Sequence, residues 1–159
     1  MNQGTAVFPS SYEIDMTIDD FINLHVGRWN PAPPASSIEI DGLKVCCGVS
    51  LPPDYLEFLR WSNGGDGFLD VQPNYLRIWP ANLVGEYNRL YQMAEFVPGY
   101  LAFADAGGHE FFAFDTRESD SWSVYAIPFI PMDVRESLLV ASNFSLLLAH
   151  LILPSEFPT

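Results

Sequence analysis

Positive charge is scarce in this chain. Seven lysines and arginines, with Lys44 the single lysine, stand against twenty acids for a formal charge of −13. Such a field repels phosphate backbones and anionic lipid, so neither nucleic acid nor membrane is an expected partner. The acids run from Glu13 to Glu156 without a long block, which describes an acidic surface rather than an acidic tail. That surface would speed encounter with a basic protein; it would equally keep an aromatic-rich protein soluble, and both readings stay open. Cysteine is scarce too. Cys46 and Cys47 are sequence neighbours, a spacing that does not readily form a disulfide, which points to a reducing compartment. No basic, apolar leader opens the chain and no apolar run approaches the roughly 20 residues of a membrane span, so a cytoplasmic location is expected.

Catalytic motifs are also missing. There is no Gly-x-Ser-x-Gly elbow and no paired-histidine motif. Asn63-Gly64-Gly65-Asp66-Gly67 lacks the alternating acids of a calcium loop and the Lys-Ser/Thr of a phosphate loop, and reads as the end of a helix. Cys46 and Cys47, with only Lys44 nearby, read as buried, inert thiols, and His25 and His150 as structural histidines within apolar helices. The best local metal candidate is Asp105, His109, Glu110 and Asp115 around Gly107-Gly108, residues that also suit a solvated turn. No metal and no cofactor are expected.

What remains is a well-furnished core. With 48% apolar and 14% aromatic residues among 159, one domain can bury enough surface to need neither disulfide nor metal. After an arm of sixteen residues, Thr17 to Val26 reads as a helix capped by Thr17. Asn30-Pro31-Ala32-Pro33-Pro34 is a stiff connector. Ser36-Ser37-Ile38-Glu39 matches a capping box, leading a helix with Ile40, Leu43 and Cys47 on one face and Gly48 at its end; the branched residues keep a strand over Ile38 to Val45 as the competing reading. Leu51-Pro52-Pro53-Asp54 opens the best-defined helix, in which Tyr55, Phe58 and Leu59 share a face and Asn63-Gly64 supplies the left-handed exit.

Gly67 to Val71 and Tyr75 to Trp79 read as strands around Gln72-Pro73-Asn74. A long helix follows from Pro80 to Phe96, with Leu83, Tyr87, Leu90, Tyr91 and Ala94 as its stripe; Gly85 would cost it about 1 kcal/mol relative to Ala and loosen its first turns. Tyr100 to Ala104, Glu110 to Asp115 and Trp122 to Ile127 form a meander joined by Gly107-Gly108 and by Thr116 to Ser121. Phe112 and Phe114 lie on one side of its middle strand and Phe111 and Ala113 on the other, one face packing on helices and the other either covered or used for binding. Ser142 caps a last helix with Phe144, Leu147, Leu148 and Leu151 in a stripe, stopped by Pro154. The expected fold class is α+β: a single domain with a mostly antiparallel or mixed sheet of about five to six strands and helices packed against it.

The run Leu51-Pro52-Pro53-Asp54-Tyr55, ending in Asn63-Gly64-Gly65, resembles the signature of the SUKH superfamily, known from fungal cell-wall assembly regulators and bacterial toxin-immunity proteins. Glu86, Asn88, Tyr91, Pro98-Gly99-Tyr100-Leu101-Ala102-Phe103-Ala104, Phe114-Asp115 and Ala141-Ser142-Asn143-Phe144 follow in that family's order, so the resemblance spans Ala35 to Leu151. It implies a family core over residues 35–153 behind a 34-residue extension. It further implies a non-enzymatic protein-binding domain, an immunity protein occluding a basic and nuclease-like toxin, with a regulatory or scaffolding module in cell-wall assembly or signalling as the alternative. A metal-dependent enzyme at the Asp105 to Asp115 hairpin is the distant third. The candidate partner-binding residues are Asp66, Asp70, Glu86, Asp105, Glu110 and Asp115, with Trp61 and Trp79 as aromatic anchors.

Overall fold

The structure, a computed structural model, describes residues 18–117 and 122–157. The expected N-terminal arm, the Thr17 cap and most of the Thr116 to Ser121 connection lie outside them. In chain order the elements are α1 (Ile18–His25), β1 (Asn30–Pro31), α2 (Ser37–Cys47), α3 (Pro53–Trp61), β2 (Gly65–Leu69), β3 (Tyr75–Ile78), α4 (Ala81–Leu90), α5 (Met93–Phe96), β4 (Tyr100–Asp105), β5 (Glu110–Asp115), β6 (Val124–Pro128), β7 (Leu138–Ala141), α6 (Phe144–Leu148) and β8 (Leu151–Ile152). Short 3₁₀ turns precede β7 and follow β8. No helix among these residues is long and apolar enough to cross a membrane.

The sheet is antiparallel throughout, in the order β1-β2-β3-β4-β5-β6-β7 with β8 also on β2. Eight strands therefore replace the expected five to six. The extra ones are two to four residues long, too short for an alternating pattern to register in sequence. Asn30–Pro31, read as a connector, is the edge strand β1, paired with Asp66 and Gly65.

α2 forms as a helix because Ser36 Oγ accepts the Glu39 N–H (3.1 Å) while Glu39 Oε1 accepts the Ser36 N–H (2.9 Å), and Gly48 ends it at φ 67°. That reciprocal cap outweighs the branched residues that argued for a strand. The long helix from Pro80 to Phe96 is instead two. Gln92 adopts φ 57° and separates α4 from the single turn of α5. The inward residues are Ala81, Val84 and Met93, while Leu90 is 66% exposed, so the stripe read through Leu90 and Ala94 was rotated off the true face. At the C-terminal end Asn143, not Ser142, caps α6 by accepting the Leu146 N–H at 2.8 Å. Leu151 leaves the helix altogether and pairs with Leu69 in the sheet.

One core holds sheet and helices together. Tyr55 stands at its centre, edge-on to Phe103, Phe114 and Phe144 at centroid distances of 5.3 to 5.5 Å, with Phe103 stacked on Phe114 at 4.1 Å. Such offset and edge contacts suit the ring quadrupoles. On the opposite side of β5, Phe111 meets Trp79, Tyr91 and Phe129. Both faces of the meander's middle strand are thus covered, and neither is left for binding.

Candidate functional site

The sheet sets three alternating charges in a row. Asp66 on β2 lies directly across from Arg77 on β3, which lies across from Asp105 on β4. Directly opposed residues of neighbouring strands project from the same face, so acid, base and acid share one surface. Arg77 binds Asp105 through Nη2 at 3.0 Å and Nε at 3.3 Å. Trp79 Nε1 donates to the same carboxylate at 2.7 Å, and the Gly107 N–H at 2.8 Å. Asp66 accepts from Asn30 Nδ2 at 3.1 Å and from the Tyr75 hydroxyl.

This row floors an open cleft of about 510 Å³, walled by Trp79, Pro80, Leu83 and Tyr87 and by Asn63 and Ala32. Burial, reinforced by the hydrogen bond to Asp66, pushes the Tyr75 phenol up to about 12, so it remains a donor across the neutral range. The bond to Asp105 likewise holds Arg77 protonated. Asp105, 8% exposed, is taken up by Arg77, Trp79 and Gly107, so the half-buried Asp66, beside aromatic walls, is the carboxylate of this row that a cationic side chain can reach. Tyr75, Arg77 and Trp79 each donate to one of the two carboxylates and fix it in position.

Three of the eight expected site residues, Asp66, Asp105 and Trp79, therefore come together. Trp79 does so as a wall, 4% exposed and edge-on to Tyr87 at 4.9 Å, rather than as a protruding anchor. Asp70 is exposed and bonds the His150 ring at 2.8 Å across from β2. Glu86 is exposed on α4, and Trp61 is half-buried against Phe58. Asp115 pairs across from Tyr100 at the far end of β4, bound through two oxygens to Arg117 at 2.9 Å, which pulls its carboxyl below the usual range.

That placement also takes apart the metal candidate. Asp105 and Asp115 mark opposite ends of the β4–β5 pair, His109 is exposed, and Glu110 half-buried. Among the described residues no group of His, Cys, Asp and Glu is placed to hold a metal ion. Two further readings need correction. Cys46 is exposed rather than buried, although burial does push the Cys47 thiol up to about 12. His150 lies after α6, not within it.

The signature residues prove to be ties between elements, which spacing alone did not reveal. Asp54 opens α3 and also accepts the N–H and the hydroxyl of Ser145 on α6, at 3.1 and 2.7 Å. Ser62, wholly buried, accepts the Ala32 N–H at 2.9 Å and donates to the Gly64 carbonyl at 2.6 Å. Asn63 does not end α3 but accepts the Ala81 N–H at 2.7 Å, capping α4 from outside. The left-handed residues are Gly64 and Gly65, at φ 105° and 111°, beyond an extended Ser62. A side chain at Gly65 would lie 2.6 Å from Trp29 Nε1, so this corner accepts glycine on two counts. These ties place β2, and hence Asp66, against the start of α4 at the rim of the cleft.

A second hollow, of about 640 Å³, lies between α2, α4, α5 and the start of β4, with Cys46, Gly85, Arg89 and Tyr100 among its lining. Arg89 is the one basic and Glu95 the one acidic side chain of its lining.

No curated protein sequence shows significant similarity to the chain. The profile of the SMI1 / KNR4 family (SUKH-1) matches residues 34–150, well over half of the chain, and the chain belongs to that family.

Proposed function

We propose that this protein is a non-enzymatic binding domain, and specifically a cytoplasmic immunity protein that occludes a basic toxin. The observation that carries this reading is electrostatic. At least four of its seven cations are tied to acids within the chain, Arg60 to Glu57, Arg77 to Asp105, Arg117 to Asp115 and Arg135 to Asp133, so the outward field of a −13 molecule is left acidic. A toxin that cleaves nucleic acid must present a basic cleft to phosphate, and an acidic body opposes that cleft with long-range attraction. Asp66, half-buried and held by Asn30 and Tyr75, offers an oriented carboxylate for a lysine or arginine of the toxin, while the buried Asp105 fixes Arg77 and Trp79 behind it. Asp70 and Glu86 add exposed charge that raises the association rate.

Co-expression with the toxin encoded beside its gene tests the reading. Rescue of growth by the wild type and its loss on Asp66→Asn combined with Asp70→Lys and Glu86→Lys is expected. Rescue that survives the triple variant would remove the acidic surface from the account. Absence of any neighbouring toxin gene would favour the regulatory alternative within cell-wall assembly or signalling.

A further inference from the structure

The two ends of the sheet differ in how they are closed. β1 is two residues long, contains Pro31, which has no N–H to donate, and runs into Pro33-Pro34. Those are devices that shut an edge against further pairing. β7 carries none of them. From Ser137 to Ser155 the sequence has no Asp, Glu, Lys or Arg, and no proline before Pro154. Among the described residues no strand lies beyond β7. Leu138 and Leu139 are 50% and 54% exposed, and because neighbours in a strand face opposite ways, both faces of the sheet are apolar and open there. Ile130, 92% exposed, and Val134 extend the patch along the connection from β6. An irregularity in pairing falls at Val140, leaving Leu138-Leu139, paired with Ala126 and Tyr125 on β6, as the regular stretch of the outer edge.

Charge selects the occupant. A basic partner is drawn to the acidic surfaces and gains nothing at a neutral edge, whereas a body of the same negative charge meets least repulsion there. In the β6–β7 connection Asp133 is neutralised by Arg135 at 2.7 Å, and the exposed Glu136 is the one remaining acid of that connection, a source of the residual like-charge repulsion between copies. We propose that β7 pairs antiparallel with β7 of a second copy about a twofold axis, extending the sheet across a dimer. The apolar side chains involved would bury on the order of 300–400 Å² per copy, below the ~800 Å² per partner of a stable complex, which defines a weak, reversible association.

Sedimentation equilibrium of the full chain from about 10 µM to about 1 mM tests this. A monomer–dimer equilibrium that tightens with salt, as like-charge repulsion is screened, is expected. Leu139→Glu should weaken it at least about tenfold by setting acids near the axis, while Val45→Glu, at an 82% exposed apolar position on α2, leaves it unchanged. In the wild type, the amides of residues 138–141 should gain protection from hydrogen exchange as concentration rises. A monomer at every concentration, a dimer indifferent to Leu139→Glu, equal loss from Val45→Glu, or exchange at β7 independent of concentration would each overturn the proposal.

Discussion

Gly85 sits within α4 at a position where helix propensity and packing pull in opposite directions. Alanine in a helix interior is favoured over glycine by about 0.8–1.0 kcal/mol. At this site, however, a Cβ would overlap the Sγ of Cys46 on α2 and lie 3.2 Å from its Cβ. The exposed Cys46 thiol can turn to another rotamer, but the 3.2 Å approach to its Cβ persists and must be relieved by parting the two helices, and overpacking of this kind costs about 1–3 kcal/mol. Gly85→Ala is therefore expected to be destabilising by about 1 kcal/mol net, a fall of roughly 2–4 °C in Tm for a chain of this size. The same substitution made in a Cys46→Ala background, where the sulfur is gone, should recover part of the helix gain and stabilise by about 0.5 kcal/mol. Urea unfolding of the four proteins of this cycle reads both numbers, provided the m-values stay constant. If Gly85→Ala stabilises the otherwise unaltered chain by about 1 kcal/mol, the close approach of α2 and α4 is refuted.

Four further outcomes follow from the contacts described. Asn63→Ala should cost about 1 kcal/mol by leaving the first N–H of α4 uncapped, while Asn63→Asp, which keeps the acceptor, retains most of it in urea unfolding. Tyr55→Phe should be neutral or stabilising by up to about 1 kcal/mol, because the buried Tyr55 hydroxyl has no hydrogen-bond partner among the described residues; a loss above about 2 kcal/mol would mean that it has one. Burial, with Arg28 adding like charge, lowers the His25 imidazole to about 4. A folded value below the unfolded ~6.5 contributes stability above pH 6.5 that is lost as pH falls toward 4, so denaturation midpoints should drop across that window and His25→Gln should flatten the drop. Arg117→Gln should raise the Asp115 carboxyl titration toward the ordinary range, visible by carboxyl NMR, since the Arg117 hydrogen bonds are what depress it.

Local chemistry in the sequence located the helices that carry their own caps. Ser36 and Glu39 mark the start of α2, Pro53 and Asp54 that of α3, and the aromatic meander declares itself by its turns. Reading failed where a residue's partner is distant in sequence. Asn63 looked like a helix stop because its true partner, Ala81, is eighteen residues on. Gly85 looked like a weakness because Cys46, against which it packs, is on another helix. The break at Gln92 carries no glycine or proline to announce it. For the site, acids and aromatics were recognisable by type, but only the pairing of β2, β3 and β4 sorts Asp66 and Asp105 from Asp115, which lies at the other end of the sheet. The burial of Trp79 was likewise invisible, since a tryptophan serves equally as wall or as anchor.

The central claim is that the acidic surface carrying Asp66, Asp70 and Glu86 binds a basic partner. Its most direct test is co-purification of tagged protein from its own organism, in parallel with the Asp66→Asn, Asp70→Lys, Glu86→Lys variant, with mass identification of what stays bound. Recovery of a secreted toxin or its C-terminal domain by the wild type, and its loss from the variant, is the predicted result; recovery of an endogenous wall or signalling protein instead, or equal capture by both, would contradict it.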